Sequence, residues 1–133
     1  MTTLIDTSAF LAIVASGDDF HEAAAATWRS LILDDEALIC NNYILVETLT
    51  LIQRRRGMDA ARAFHAGVLP SVSIRWVTEE LHKRAMAALL AADRRYLSLV
   101  DCAAFETMRQ EGVERVFTFD PHYAELGFVT IPR

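Results

Sequence analysis

At 133 residues and 53% hydrophobic content, the chain is long enough to bury a core as one domain, residues 1–133, without disulfide or metal staples, and it leaves no room for a long disordered tail. The net charge of −5 does not advertise nucleic-acid binding, yet an acidic cluster that loads divalent metal is counted here without its metal. No apolar run approaches the ~20 residues of a membrane helix, the N-terminus lacks the basic stretch of a signal peptide, and Cys40 and Cys102 have no CxxC spacing, so a cytoplasmic protein with two reduced core thiols is expected.

Thr2 to Ile5 reads as a short strand that ends on Asp6, and Thr7 to Leu11 opens a helix. Gly17-Asp18-Asp19 makes a turn, and a long helix then runs from about Phe20 to Leu33, with Ala24, Trp28 and Leu31 on its inner face. Ala37 to Cys40 is a second strand, and Asn41-Asn42 caps a helix from Tyr43 to Arg56 that Gly57 stops. Met58-Asp59 begin a helix that ends near Pro70; Val72 to Val77 is a third strand; Thr78-Glu79-Glu80 opens a helix to about Asp93. Ser98 and Asp101 form a capping-box pattern at the head of the next helix, with Ala104, Phe105 and Met108 at helical spacing and Gly112 as its stop. Val113, Val116, Phe117 and Phe119 then read as an interior strand that ends on Asp120. Pro121 to Leu126 is a short helix, and Phe128 to Ile131 a last edge strand. Strands alternating with helices predict an α/β domain with a mainly parallel sheet.

Four carboxylates stand out. Parallel strands that end on Asp6 and Asp120 put both acids at the carboxyl edge of a sheet, where ligands gather in open α/β folds. Asp101 adds an acid in a helix's first turn. Each of the three also reads as an N-terminal cap: Asp6 for the first helix, Asp101 as the box acid, and Asp120 before Pro121 at a first helical position. Glu47 has Tyr43, Ile44, Thr50 and Leu51 as its helical neighbours, a mostly apolar face on which a carboxylate is costly unless paired or bound to metal. Four converging acids repel one another, and a hard divalent cation removes that penalty. All-oxygen ligands select Mg²⁺, with Mn²⁺ as its substitute, and such a site suits phosphodiester hydrolysis. His21, His65, His82 and His122 show no spacing typical of zinc.

The segments LIDTSAF, YILVETL, LSLVDCAAFETM and FTFDPHYAELGF, in that order along essentially the whole chain, resemble the PIN-domain ribonucleases, and within them the VapC-like toxins of type II toxin–antitoxin modules. Leu97 to Phe128 is the most specific part of the resemblance. It implies a three-layer α/β/α fold, a Mg²⁺-dependent endoribonuclease that cuts RNA, a homodimer and an inhibitory antitoxin. Position by position, it makes Asp6 and Asp101 the principal metal ligands, Glu47 the second acid of the catalytic quartet and Asp120 the fourth, with Thr7 and Thr118 as hydroxyls beside the acids. Related sequences often carry a basic residue just after the fourth acid. Pro121 stands there in this chain, which leaves open whether Asp120 binds metal directly or supports it.

Rival enzyme readings fail on particular residues. A haloacid-dehalogenase-type phosphatase needs an acid two positions after Asp6, where Ser8 stands. A receiver domain needs a lysine after a late strand, and Lys83 is the only lysine. A P-loop or dinucleotide fold needs a glycine-rich first turn. The non-enzymatic alternative is an inactive PIN-like module that binds RNA or protein. Arg54, Arg55, Arg56, Arg94 and Arg95 are candidate RNA contacts, or else charges that complement helix C-termini. The apolar surfaces of the first helices and of Tyr43 to Ile52 are candidate dimer or antitoxin contacts, or plain core.

Overall fold

The computed structural model describes residues 1–133. Five strands, β1 (Thr2–Ile5), β2 (Ala37–Asn41), β3 (Ser73–Arg75), β4 (Arg115–Phe117) and β5 (Val129–Ile131), form one parallel sheet in the order β3-β2-β1-β4-β5. Seven helices connect or flank them: α1 (Thr7–Val14), α2 (His21–Leu33), α3 (Asn42–Arg56), α4 (Met58–Gly67), α5 (Glu79–Ala92), α6 (Leu99–Glu111) and α7 (His122–Glu125). Successive strand residues point to opposite faces. In β1, Thr3, Leu4 and Ile5 are all fully buried, so both faces of the sheet are covered and the layers stack α/β/α.

The chain leaves central β1 toward β2 and β3 on one side, and returns through β4 and β5 on the other. The crevice between the ends of β1 and β4 is therefore the switch point of the sheet. Ile5 is in register with Phe117, so Asp6 and Thr118 come abreast just past the ladder, and the Asp6 N–H extends it by donating to the Phe117 carbonyl at 3.0 Å.

The main core gathers Leu4, Ile5, Ile39, Val116 and Phe117 from the strands with Phe10, Ile44, Phe64, Phe105, Met108 and Tyr123 from the helices. Leu81, Ala85, Cys102 and Ala103 make a second cluster between α5 and α6. Leu97 packs against both, which fixes the entry to α6. Both cysteines are free and buried.

Several elements end sooner than their sequence suggests. Helix α4 stops at Gly67 and a 3-10 turn, Leu69–Ser71, completes the segment around Pro70. Strand β3 covers Ser73–Arg75 alone, because the Val77 N–H turns away to the Asn42 side chain at 2.7 Å. Strand β4 ends at Phe117, not Asp120. Beyond it the Thr118 N–H still meets the Ile131 carbonyl at 3.0 Å, and side chains then replace the ladder: the Phe119 N–H donates to Ser8 Oγ and the Asp120 N–H to Thr118 Oγ1, both at 2.9 Å.

Candidate active site

Asp6 follows β1 and caps α1 in extended backbone geometry (φ −91°, ψ 161°). Its cap bond is long, 3.4 Å from the Ser8 N–H, and hydroxyls hold the carboxylate instead. Ser8 Oγ and Thr118 Oγ1 donate to Oδ2 at 2.8 and 2.9 Å, and the Tyr123 hydroxyl donates to Oδ1 at 3.0 Å. Asp6 is only 4% exposed. Burial raises its pKa above the ordinary carboxylate value; the Ser8, Thr118 and Tyr123 hydrogen bonds oppose this, and the charge of Asp101 adds to it.

Asp101 completes a true capping box: the Ser98 N–H donates to its Oδ2, and its own N–H to Ser98 Oγ, each at 3.0 Å. A box of this kind orders the head of the helix, and here it also aims the acid at the sheet edge. Burial raises the pKa of Asp101, against the Ser98 backbone bond, and the charge of Asp120 raises it further.

Asp120 accepts the His122 N–H at 2.9 Å through Oδ1, a cap-like turn at the head of α7 in which Pro121 stands at the capping position and makes no side-chain cap of its own. Ligand atoms of Asp101, Asp120 and His122 all fall within 4.8 Å of one another. The His122 ring Nδ1 lies 3.0 Å from the same Asp120 oxygen, off the hydrogen-bonding direction. It is buried with no hydrogen-bond partner.

Glu47 sits half-buried on α3. Burial raises its pKa, the nearby Thr7 hydroxyl works the other way, and the charges of Asp6, Asp101 and Asp120 all raise it. The same three charges belong to α1, α6 and the β4–α7 loop, and α3 is tied to α1 through Thr48 and Thr7.

Asp101, Asp120 and His122 thus form one cluster, the charges of Asp6 and Glu47 act on the same acids, and Thr118 is bonded to Asp6. Thr7 lies beside Glu47, whose pKa its hydroxyl lowers, and it also ties α1 to α3: it donates to the Ile44 carbonyl at 3.5 Å and accepts from Thr48 at 3.1 Å. Ser8, Tyr123 and His122 also belong to the site, though no local pattern marks them as such. His122, two residues after Asp120, shows no spacing typical of zinc, and only the fold brings it to the acids. Tyr123 carried one usable signal, since a tyrosine in a core needs a partner for its hydroxyl. Arg54, Arg55 and Arg56 are exposed at the C-terminus of α3. Arg94 is held by Glu125 of α7 at 3.3 Å, and the Arg95 guanidinium lies 5.8 Å from the centre of the Tyr96 ring.

A divalent cation fits this donor set. Three acids whose burial and mutual charge raise their pKa values have no Lys or Arg partner, and the one ring beside them, His122, is an ion-pair partner only when protonated; a divalent ion provides the positive charge.

The family model described as PIN domain matches residues 3–129. Two curated relatives are each named 23S rRNA-specific endonuclease VapC20, from Mycobacterium tuberculosis strains CDC 1551 / Oshkosh and ATCC 25618 / H37Rv. Each is 34% identical over 128 residues, 96% of this chain and 95% of the relative. The crystal structure of Mycobacterium tuberculosis VapC20, described as a sarcin–ricin loop cleaving toxin, matches with a TM-score of 0.85 and 32% identity over 97% of both chains. FitAcB from Neisseria gonorrhoeae matches with a TM-score of 0.70 at 16% identity, covering 98% of this chain and 96% of that one. VapBC2 from Rickettsia felis, bound to a promoter DNA fragment, matches at 0.73 and 8%, covering 98% and 97%. These last two share the fold.

Proposed function

This chain belongs to the PIN-domain family, and from that premise we propose that it is a metal-dependent endoribonuclease, the toxin of a type II toxin–antitoxin module. The observation that supports the reading is the grouping of Asp101, Asp120 and His122 within 4.8 Å beside the β1–β4 switch point, with Asp6 and Glu47 near enough for their charges to act on the same acids. Asp101, Asp120 and His122 would hold Mg²⁺ or Mn²⁺, with Asp6 as the deeper ligand or its support. A divalent ion supplies an activated water and positive charge for the departing oxygen of an in-line displacement.

The protein's own groups do the rest. Ser8, Thr118 and Tyr123 clamp the Asp6 carboxylate in one rotamer, so its orientation needs no rearrangement when the ion or substrate arrives. Glu47 is half-buried beside the Thr7 hydroxyl, and burial raises its pKa, which suits it to take a proton from water. Arg54 lies two turns along α3 from Glu47, about 10 Å at 1.5 Å per residue, a reach that suits a phosphate neighbouring the scissile one.

The substrate class is RNA, and the VapC20 resemblance supports a structured ribosomal RNA loop as the target to test. Exposed Ile32 and Leu33 on α2, and Val46 and Leu49 on α3, offer apolar surface for a second copy and for an antitoxin. The decisive experiment incubates purified protein with a ribosomal stem-loop RNA. Cleavage in Mg²⁺ that vanishes in EDTA and in Asp101→Asn is expected; cleavage unchanged in both would reject the mechanism.

A further inference from the structure

Tyr96 is 83% exposed, and it stands in the six-residue loop between α5 and α6, two positions before the capping serine of the site. Loop tyrosines left in water in this way do nothing for the core. The backbone beneath this one is nonetheless pinned. Asp93 ends α5 in the left-handed region (φ 50°), the Leu97 N–H closes a turn on the Arg94 carbonyl at 3.2 Å, and Leu97 is packed into the core. Ser98 then locks to Asp101. From the other side, the Arg94–Glu125 pair ties the loop to α7, the helix that begins with His122. The loop is therefore fastened to both elements that supply the Asp101–Asp120–His122 group.

Arg94 and Arg95 part company here. Arg94 is spent on Glu125, whereas Arg95 enters no ion pair and sits over the Tyr96 ring, 5.8 Å from its centroid. An unpaired guanidinium and an aromatic face, held beside a site for phosphodiester chemistry, match the two parts of a single-stranded nucleic acid: a phosphate for the cation and a base for the ring. We infer that Arg95 and Tyr96 form a nucleobase-stacking platform, which holds an unpaired base of single-stranded RNA next to the scissile phosphate. The platform rests on the endoribonuclease reading and adds to it: the target strand must be unpaired there, so a loop is cut and a duplex is not.

The test uses the full chain and a set of oligoribonucleotides with one 2-aminopurine at a different position in each. In a Glu47→Gln background with Mg²⁺, binding is expected to quench the fluorophore at a single position, and Tyr96→Ala to abolish that quench. Steady-state cleavage by Tyr96→Ala alone is expected to show KM raised roughly 5- to 150-fold, the span that one stacked base contributes, with kcat and Tm close to wild type. Tyr96→Phe keeps the ring and should keep both readouts. The control is Trp76→Ala, because Trp76 is the other strongly exposed large aromatic, 71% exposed beyond edge strand β3. Wild-type KM and quenching in Tyr96→Ala, or their loss in Trp76→Ala instead, would overturn the platform while leaving the nuclease intact. If the wild-type protein cuts no RNA in Mg²⁺, the endoribonuclease reading itself falls, and the platform with it.

Discussion

Replacing Tyr123 by Phe removes one oxygen from the centre of the molecule and leaves the packing in place. The ring is fully buried, edge-on to Phe105 at 5.0 Å and to Phe128 at 6.3 Å, and a phenylalanine keeps those contacts. What disappears is the 3.0 Å hydrogen bond to Asp6 Oδ1. Burial, with the charges of Asp6 and Asp101, holds Tyr123 as a neutral phenol, so it is the donor. A bond to an ionised acceptor contributes about 1.5–3 kcal/mol, and one to a neutral acceptor about 0.5–1.5 kcal/mol. For a domain of this size 1 kcal/mol moves Tm by about 4 °C, so the expected loss is roughly 6–12 °C where Asp6 is ionised and roughly 2–6 °C where it is protonated. The sign with pH follows. The folded-state pKa of Asp6 is raised, so its contribution to stability is present at low pH and lost as pH rises through that folded value. Removing the Tyr123 donor raises the pKa further. Wild type and Tyr123→Phe should therefore converge on acidification and diverge toward pH 8. Melts of both proteins in EDTA across pH 5–8 measure this. A Tm difference that is absent, or constant across the range, would refute an ionised Asp6 held by Tyr123.

Three further outcomes follow from the same cluster. Asp101→Asn keeps an oxygen for the Ser98 N–H, so the capping box survives while a ligand charge is lost; cleavage should vanish and the metal-free Tm should not fall, and a clear fall would mark Asp101 as a structural cap alone. In EDTA the wild-type protein should become more stable as pH drops from neutral into the range where Glu47, Asp6 and Asp101 protonate, because burial raises all three; a stability that only declines on acidification from pH 7 to pH 5 would contradict those shifts. Saturating Mn²⁺ at pH 7.5 should raise Tm by several degrees, about 2.7 kcal/mol at a hundredfold excess over Kd, with less gain at pH 5 and less in His122→Ala; equal shifts in wild type and His122→Ala would remove His122 from the ion's surroundings.

The elements of this chain were legible because their signals are local. Asn41 caps α3 by accepting the Ile44 N–H at 2.8 Å, Ser98 and Asp101 make their box, and Gly112 ends α6 at φ 67°, all within a few residues of the letters that announce them. The places of Asp6 after β1, Asp101 in the first turn of α6 and Glu47 on a half-buried face of α3 were legible too, since each follows from its immediate neighbours. The length of β4 was not. Its hydrophobic run extends to Phe119, but backbone pairing ends once the Thr118 N–H has met the Ile131 carbonyl, and Ser8, more than a hundred residues earlier, takes the Phe119 N–H. The clamp on Asp6 has the same origin: Thr118 and Tyr123 reach it across 112 and 117 residues. The division of Arg94 from Arg95 depends on where α7 places Glu125. Caps and stops are set by backbone groups one turn away, which the sequence alone determines. Which hydroxyl meets which carboxylate is set by strand order and register, and only the folded sheet brings β1 and β4 side by side.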